Sequence, residues 1–499
     1  VDTKRPSVLQ IGRADVALKP FAERLLELVP CEQDQVAAQA NSACGILIAE
    51  NGARVGFIRS CFEALRDTAE DNGLAFAVLL PSAAELKVVE ALVSELALKS
   101  PVVIKLIADA GHAAEFLARR APGPPTGNPK VLPSDLVLSP RIELLLKRSF
   151  HDCDRIYMEP LGGGKDAAGV FCVHAWLRKS IVGPRPLPFF IKFSEPDKIR
   201  GERHNYGYYA DFYIPFYLRP NLVAARCAEI KGLASLVGNF VEDAVPLRTT
   251  LRAGQSPGTI FSLFEISLRG FRSQPTHAPA ATWDSPLQGF VRDRARASSV
   301  QDETIRLART LGLKATPTEL ETSLCDTIGS VTRKFSPYHG DLHAGNVMVR
   351  GNDAILIDFS AVKNGPLTAD PATLEVSMVF GTDQDDKPTE FEEWKKAVGE
   401  FYNGVPIHEP PSPGTGPGPF AWLYKAVREV RHVLLGCDCK QEEAAEVLAA
   451  YLLRFARLTP EQFDDNDLSE LARKRQAYAL VVAERIITTF AARKSTGTT

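Results

Sequence analysis

No stretch of this 499-residue chain is both long and apolar enough to read as a membrane span. The best run, Tyr478 to Phe490, is broken by Glu484 and Arg485, whereas a spanning helix needs about 20 apolar residues. The first residues also lack a basic segment followed by an apolar core, so a secretory leader is not expected. An excess of one charge is missing as well: 58 Lys and Arg stand against 61 Asp and Glu, and neither sign gathers into a block. Nucleic acid or an anionic membrane would call for a basic stripe, so neither partner is expected. The nine cysteines, scattered from Cys31 to Cys439, are an odd number with no disulfide framework. That pattern fits a reducing compartment, and the chain is read as cytoplasmic. Cys437 and Cys439 form a lone C-x-C without a second ligand pair and read as ordinary thiols. No internal repeat is visible.

What is present suffices for several cores. Hydrophobic residues make up 45% and charged residues 24%, the balance of a soluble multidomain chain. Between Ser7 and Arg120 short apolar runs alternate with helical patterns: Ser7–Gly12 then Ala17–Leu28, Gly45–Ala49 then Phe57–Arg66, Leu74–Leu80 then Ala83–Leu98, Val102–Ile107 then Ala113–Arg120. Strands and helices at this spacing predict a doubly wound, parallel α/β domain over residues 1–120. Six prolines between Ala121 and Pro140 predict a stiff connection over 121–150. Beyond it, strand-rich residues 151–246 precede helix-rich residues 247–499. Two proline- and glycine-rich stretches, Gln255–Pro286 and Glu409–Pro419, read as inserted surface loops.

The segment with chemistry runs Tyr338-His339-Gly340-Asp341-Leu342-His343-Ala344-Gly345-Asn346, followed by Ile355-Leu356-Ile357-Asp358-Phe359. Phosphoryl transfer needs a carboxylate to orient the incoming hydroxyl, and acidic and amide oxygens to hold Mg²⁺ against the ATP phosphates. Asp341 fits the first role; Asn346 and Asp358 fit the second. Strands on either side of the turn Gly351-Asn352-Asp353 would return Asp358 beside Asn346 and Asp341.

H-G-D-L-H-x-G-N followed by I-D-F resembles the protein-kinase-like superfamily, especially its aminoglycoside phosphotransferase and choline kinase branch. The resemblance implies an α+β bilobal kinase-like domain that uses ATP and Mg²⁺. It makes His339 a brace of the loop and leaves His343 between loop support and proton transfer. Upstream, Gly162, Gly163, Gly164 and Lys165 lie between strand-like runs, where backbone amides can approach phosphate oxygens. A Walker A loop is excluded, since Asp166 follows the lysine and Glu159 stands where the first glycine belongs. Lys192, alone in the apolar strand Pro188–Phe193, needs an anionic partner. The resemblance makes it the phosphate-binding lysine, and Glu202 on the next helix its partner. The aromatic run Tyr206 to Tyr217 reads as packing. Asp370-Pro371-Ala372-Thr373-Leu374-Glu375 resembles a segment that follows the metal aspartate in small-molecule kinases. Asp370 is there either a loop brace or a helix N-cap.

A further likeness is to kinase-like domains of bacterial signalling and conflict systems called ternary complex associated domains. It keeps open an alternative to the enzyme, a nucleotide-binding pseudokinase scaffold in a multi-protein system. The N-terminal alternation resembles a response-regulator receiver, with Ser82 and Lys105 after or within later strands. Where that family carries acidic residues, this chain has Gly12-Arg13 and Ala49-Glu50-Asn51. The resemblance therefore implies a degenerate receiver-like or other flavodoxin-like module that docks a protein partner or the kinase lobes and is not phosphorylated on aspartate. The phosphate acceptor is left unidentified.

Overall fold

A computed structural model of the chain describes residues 7–12, 18–24, 26–40, 43–49, 55–119, 129–133, 136–161, 169–178, 180–255, 258–273, 276–278, 286–296, 299–327, 333–402, 418–437, 441–458 and 466–495. Arg13, Glu50, Asn51, Cys439 and most of Glu409–Pro419 lie outside these residues. The surface loop expected over Gln255–Pro286 is corrected: Thr259–Ser262, Leu263–Ser267 and Arg269–Arg272 are helical turns whose Ile260, Leu263, Phe264 and Phe271 are buried. The chain divides into two compact units, residues 1–204 with 220–242 and residues 205–219 with 243–499.

The first unit begins with five parallel strands, β1 (Ser7–Ile11), β2 (Glu27–Pro30), β3 (Ala43–Ala49), β4 (Ala75–Leu80) and β5 (Val102–Leu106), in the order β2-β1-β3-β4-β5. Every residue of β3 and β4 is buried, because both faces are covered by helices and a strand so placed must be apolar on both sides. Side chains alternate accordingly. Ile46 and Ile48 join Ile58, Phe62 and Val89 from the helices Val55–Asn72 and Ala83–Leu96. Leu47 joins Phe21, Ala114 and Leu117 from the helices Leu18–Glu23 and Ala110–Arg119. Strand β2 falls where a helix to Leu28 was expected. The helix stops at Glu23, and Leu28 and Val29 pair with Val8 and Leu9; this pairing outweighs local helix preference.

A second sheet completes the unit: β6 (Lys130–Leu132), β7 (Cys153–Pro160), β8 (Gly169–Leu177), β9 (Phe189–Ser194), β10 (Glu229–Ile230) and β11 (Leu233–Asn239), in the order β10-β11-β9-β8-β7-β6. The expected connection over 121–150 is corrected here. Residues 121–128 lie outside the described residues, but β6 pairs with β7 and Pro140–Ser149 is a helix with Leu145 and Leu146 buried. Pro140 stands in the first turn, where a missing N–H costs nothing, and the Ser139 hydroxyl accepts the Ile142 N–H at 3.3 Å. Pro140, read as part of a linker, therefore starts a helix.

That helix ties the two sheets together. Arg148 is buried and donates to the Ala43 carbonyl at 3.3 Å. The Lys231 N–H donates to the Glu70 carbonyl at 2.8 Å, and its ammonium meets Asp67 at 3.0 Å. At Gly73, where φ is +64°, a Cβ would stand 2.4 Å from the Glu229 carbonyl oxygen, so only glycine allows this approach. The expected division at residues 120 and 246 gives way to one unit holding both sheets, from which residues 205–219 depart.

The second unit contains two three-stranded sheets. One joins β12 (Val245–Pro246), β15 (Val347–Arg350) and β16 (Asp353–Leu356); the other joins β13 (Thr276–Ala278), β14 (Arg333–Tyr338) and β17 (Lys363–Pro366). Around them run the helices Ala369–Phe380, Ala421–Gly436, Gln441–Arg457 and Asn466–Ser495. Glu375 and Arg431, both fully buried, pair at 2.9 Å, and the Tyr402 hydroxyl donates to Glu375 at 2.9 Å. A buried ion pair is tolerable only when its remaining hydrogen-bonding capacity is met in this way. Among the described residues no helix is long and apolar enough to cross a membrane.

Candidate functional site

In the first unit Lys192 lies on β9, between β8 and β11, opposite Val170 and Leu236. Its ammonium meets the Glu202 carboxylate at 3.0 Å, with Glu202 buried on the helix Pro196–Asn205. A lysine in an apolar strand is thus held by a carboxylate, as burial of its charge requires. Gly162, Gly163, Gly164 and Lys165 lie outside the described residues, between the paired ends of β7 and β8. On the same strands Glu159, Cys172 and His174 bring one donor atom each within 4.8 Å of one another. Burial and the nearby Glu159 push the Cys172 thiol up to about 11.

In the second unit β14 leads into the loop of Asp341. His339 is fully buried, with its ring Nε2 3.0 Å from the Ile357 carbonyl. The His339 N–H donates to Asp370 at 2.9 Å and the Gly340 N–H at 3.4 Å. Burial pushes the Asp370 carboxyl up. Asp370 therefore braces the loop, and Thr368 holds the N-cap position of its helix. Gly340 sits at φ +84°, and a Cβ there would fall 2.0 Å from the Ala361 carbonyl oxygen, so no other residue fits this turn.

Asp341 follows with its side chain 38% exposed. Its Oδ1 is 3.0 Å from Nη2 of Arg454, and its Oδ2 is 3.8 Å from Nε2 of His343. The Asp341 backbone carbonyl accepts Nδ2 of Asn346 at 2.9 Å. With its NH₂ group so used, Asn346 offers an amide oxygen, the donor type a hard cation takes. The Ile357 N–H donates to the Asn346 carbonyl at 3.0 Å, which places Asp358 at the end of the β15–β16 hairpin beside Asn346. Asp358 has φ +60°, a left-handed conformation that asparagine and aspartate tolerate better than most residues. Its Oδ1 accepts the Ser360 N–H at 3.2 Å. Phe359 is buried against Tyr206, ring centroids 4.8 Å apart, and its carbonyl accepts Nδ2 of Asn205 at 2.9 Å.

Asp341, Asn346 and Asp358 are thus brought together on one braced loop and hairpin, with oxygen donors suited to Mg²⁺. Their positions were legible as a motif. Arg454 carries no sequence signal: it lies 113 positions from Asp341 and reaches it only through helix packing. Tyr206 is buried, but Tyr208, Phe212 and Phe216 are exposed, which corrects the reading of the whole aromatic run as packing.

Residues 270–482, within the second unit, match the family model described as Ternary complex associated domain 9. No curated protein matches the chain. Solved structures are matched at low identity. An aminoglycoside phosphotransferase from Streptomyces rimosus is 16% identical, covering 57% of this chain and 96% of its own, with a TM-score of 0.32. Amicoumacin kinase is 10% identical over 66% of this chain and 88% of its own, at 0.36. A choline kinase from Cryptosporidium parvum is 12% identical over 68% and 93%, at 0.33.

Proposed function

We propose that this chain is an ATP- and Mg²⁺-dependent phosphotransferase that moves the γ-phosphate to a hydroxyl or amine of a small molecule or a protein. The observation that carries the reading is the joint placement of Asp341, Asn346 and Asp358 on one loop and hairpin. Asp341 orients the acceptor and takes its proton. Asn346 and Asp358 hold Mg²⁺, which neutralises charge on the phosphates. Lys192, kept in place by Glu202, binds phosphate oxygens, and Gly162, Gly163, Gly164 and Lys165 cover them.

The alternative, a nucleotide-binding scaffold in a multi-protein system, draws support from the name of the family model over residues 270–482. The five-stranded N-terminal sheet is then a receiver-like docking module. A scaffold has no chemical need for the carboxylate of Asp341, which favours the enzyme.

Calorimetry with ATP tests the metal assignment directly. The wild type binds ATP in a Mg²⁺-dependent manner, and Asp358→Ala abolishes or severely weakens that binding. Nucleotide binding that ignores Mg²⁺, or an Asp358→Ala variant that binds as tightly as wild type, defeats the assignment.

A further inference from the structure

The second unit gathers positive charge beside Asp341. Arg454, on the helix Gln441–Arg457, holds Oδ1 of Asp341 at 3.0 Å with its side chain 22% exposed. One turn further on, Nη2 of Arg457 donates to the Asp293 backbone carbonyl at 3.3 Å. The Asp293 carboxylate is shared by Arg294 at 2.8 Å, Arg296 at 2.8 Å and Lys363 at 3.6 Å. Lys363 opens β17 opposite Tyr338, the residue that precedes the loop of His339 and Asp341. Among the described residues, five cations therefore gather about two carboxylates, four of them in contact with a carboxylate and Arg457 on the Asp293 carbonyl.

This grouping has the character of a binding surface. Like charges set this close raise one another's free energy unless a ligand or solvent answers them. Burial and the neighbouring Arg294 and Arg454 push the Lys363 ammonium below its ordinary value. Burial and Arg454 do the same to Arg457. The cluster is nevertheless open: the Lys363 side chain is half-exposed and Arg296 more so. A cationic acceptor approaching Asp341 would meet Arg454, Lys363 and Arg457 and be repelled.

We infer that the acceptor carries an oxyanion, a carboxylate or a phosphate, close to its reacting hydroxyl, and that Arg454, Arg457 and Lys363 bind this group. The inference rests on the phosphotransferase reading above. In the step it describes, the acceptor oxygen forms a bond to the γ-phosphorus while the bond from that phosphorus to the β,γ-bridging oxygen breaks. ADP leaves with the electron pair, and the acceptor's hydroxyl proton passes to Asp341 and from there to solvent. Arg454 acts on both partners: once the anion supplies a second one, its hold on Oδ1 of Asp341 slackens and frees that oxygen for the proton.

The test uses the full chain saturated with AMP-PNP and Mg²⁺, so that the nucleotide site is already filled. Glycerol phosphate, glycerate, glycerol and choline are then titrated by calorimetry. Glycerol phosphate, glycerate or both bind, glycerol binds at least about tenfold more weakly, and choline gives no signal. The two anions separate a phosphate-bearing acceptor from a carboxylate-bearing one. The double variant Lys363→Ser with Arg457→Ser lowers anion affinity by about tenfold or more while AMP-PNP affinity stays as in wild type. Choline binding in preference to the anions, no binding of either anion, or an unaltered double variant overturns the inference while leaving the phosphotransferase standing. Failure of AMP-PNP itself to bind overturns both.

Discussion

Two arginine–aspartate clusters in the second unit use the same side chains to opposite effect. In one, Arg248, Arg252 and Arg475 surround Asp383 and Asp386, with Asp386 2% exposed and held by Arg248 at 3.0 Å, Arg252 at 2.8 Å and Arg475 at 2.9 Å. Arg475 also stacks on Trp394 and donates to the Gly381 carbonyl at 2.6 Å. Among the described residues, three cations nearly balance two carboxylates. In the other, five cations among the described residues gather about Asp293 and Asp341; Arg294 is buried, but Asp293, Asp341, Lys363 and Arg296 stand open to solvent. The difference teaches that composition does not separate a structural clamp from a binding surface. Stoichiometry and burial do, because a buried charge must find its partner inside the fold whereas an open one can take it from a ligand.

The comparison breaks most sharply at the two aspartates. Asp341→Asn removes roughly 10²- to 10⁴-fold of turnover, the usual share of a positioned base, while nucleotide affinity measured by calorimetry barely changes. A variant with full turnover would return Asp341 to the structural class. Asp386→Ala works in the other direction. It strands the buried Arg475, leaves Arg248 and Arg252 sharing Asp383, and lowers stability by about 3–5 kcal/mol, read as a fall in Tm; a Tm within the error of wild type would make this cluster as dispensable as a surface pair.

Acid sharpens the same contrast. Burial works to raise the Asp386 carboxyl, but Arg248, Arg475 and Arg252 outweigh it and hold the group below its ordinary value. A depressed carboxyl contributes stability that is present above its unfolded value, about 4, and is lost as pH falls through the folded value. Wild-type Tm therefore drops below about pH 4 more steeply than that of Asp386→Ala; parallel curves would refute the linkage. The smallest effect is at the open cluster's rim: Arg296→Ser changes stability by about 0.5 kcal/mol or less. A larger loss of Tm would mean that this cluster also carries the fold.

What could be read in the chain followed how local each signal was. The Asp341 loop and the hairpin returning Asp358 were legible because their residues lie within one short segment and glycine is obligatory at residue 340. The runs of β3 and β4 were legible because strands covered on both faces must be apolar throughout, and β1 and β5 because each is a short, mostly apolar run of strand length. Strand β2 was not, since only its pairing with β1 makes Leu28 and Val29 extended. The helix Pro140–Ser149 was hidden by prolines that composition assigns to a connection.

The sequence by itself determined a chain with several cores, the parallel strands and the Asp341–Asn346–Asp358 motif, since each depends on neighbours close along the chain. Tertiary structure alone decided that the two sheets of the first unit join through Arg148 and Lys231, and that Asp370 braces the Asp341 loop. It also decided that Arg454, Lys363 and Asp293 meet beside Asp341. These contacts link residues tens to more than a hundred positions apart, and no periodicity or spacing encodes a partner at that distance; only the packing of helices and strands brings such charges within each other's field.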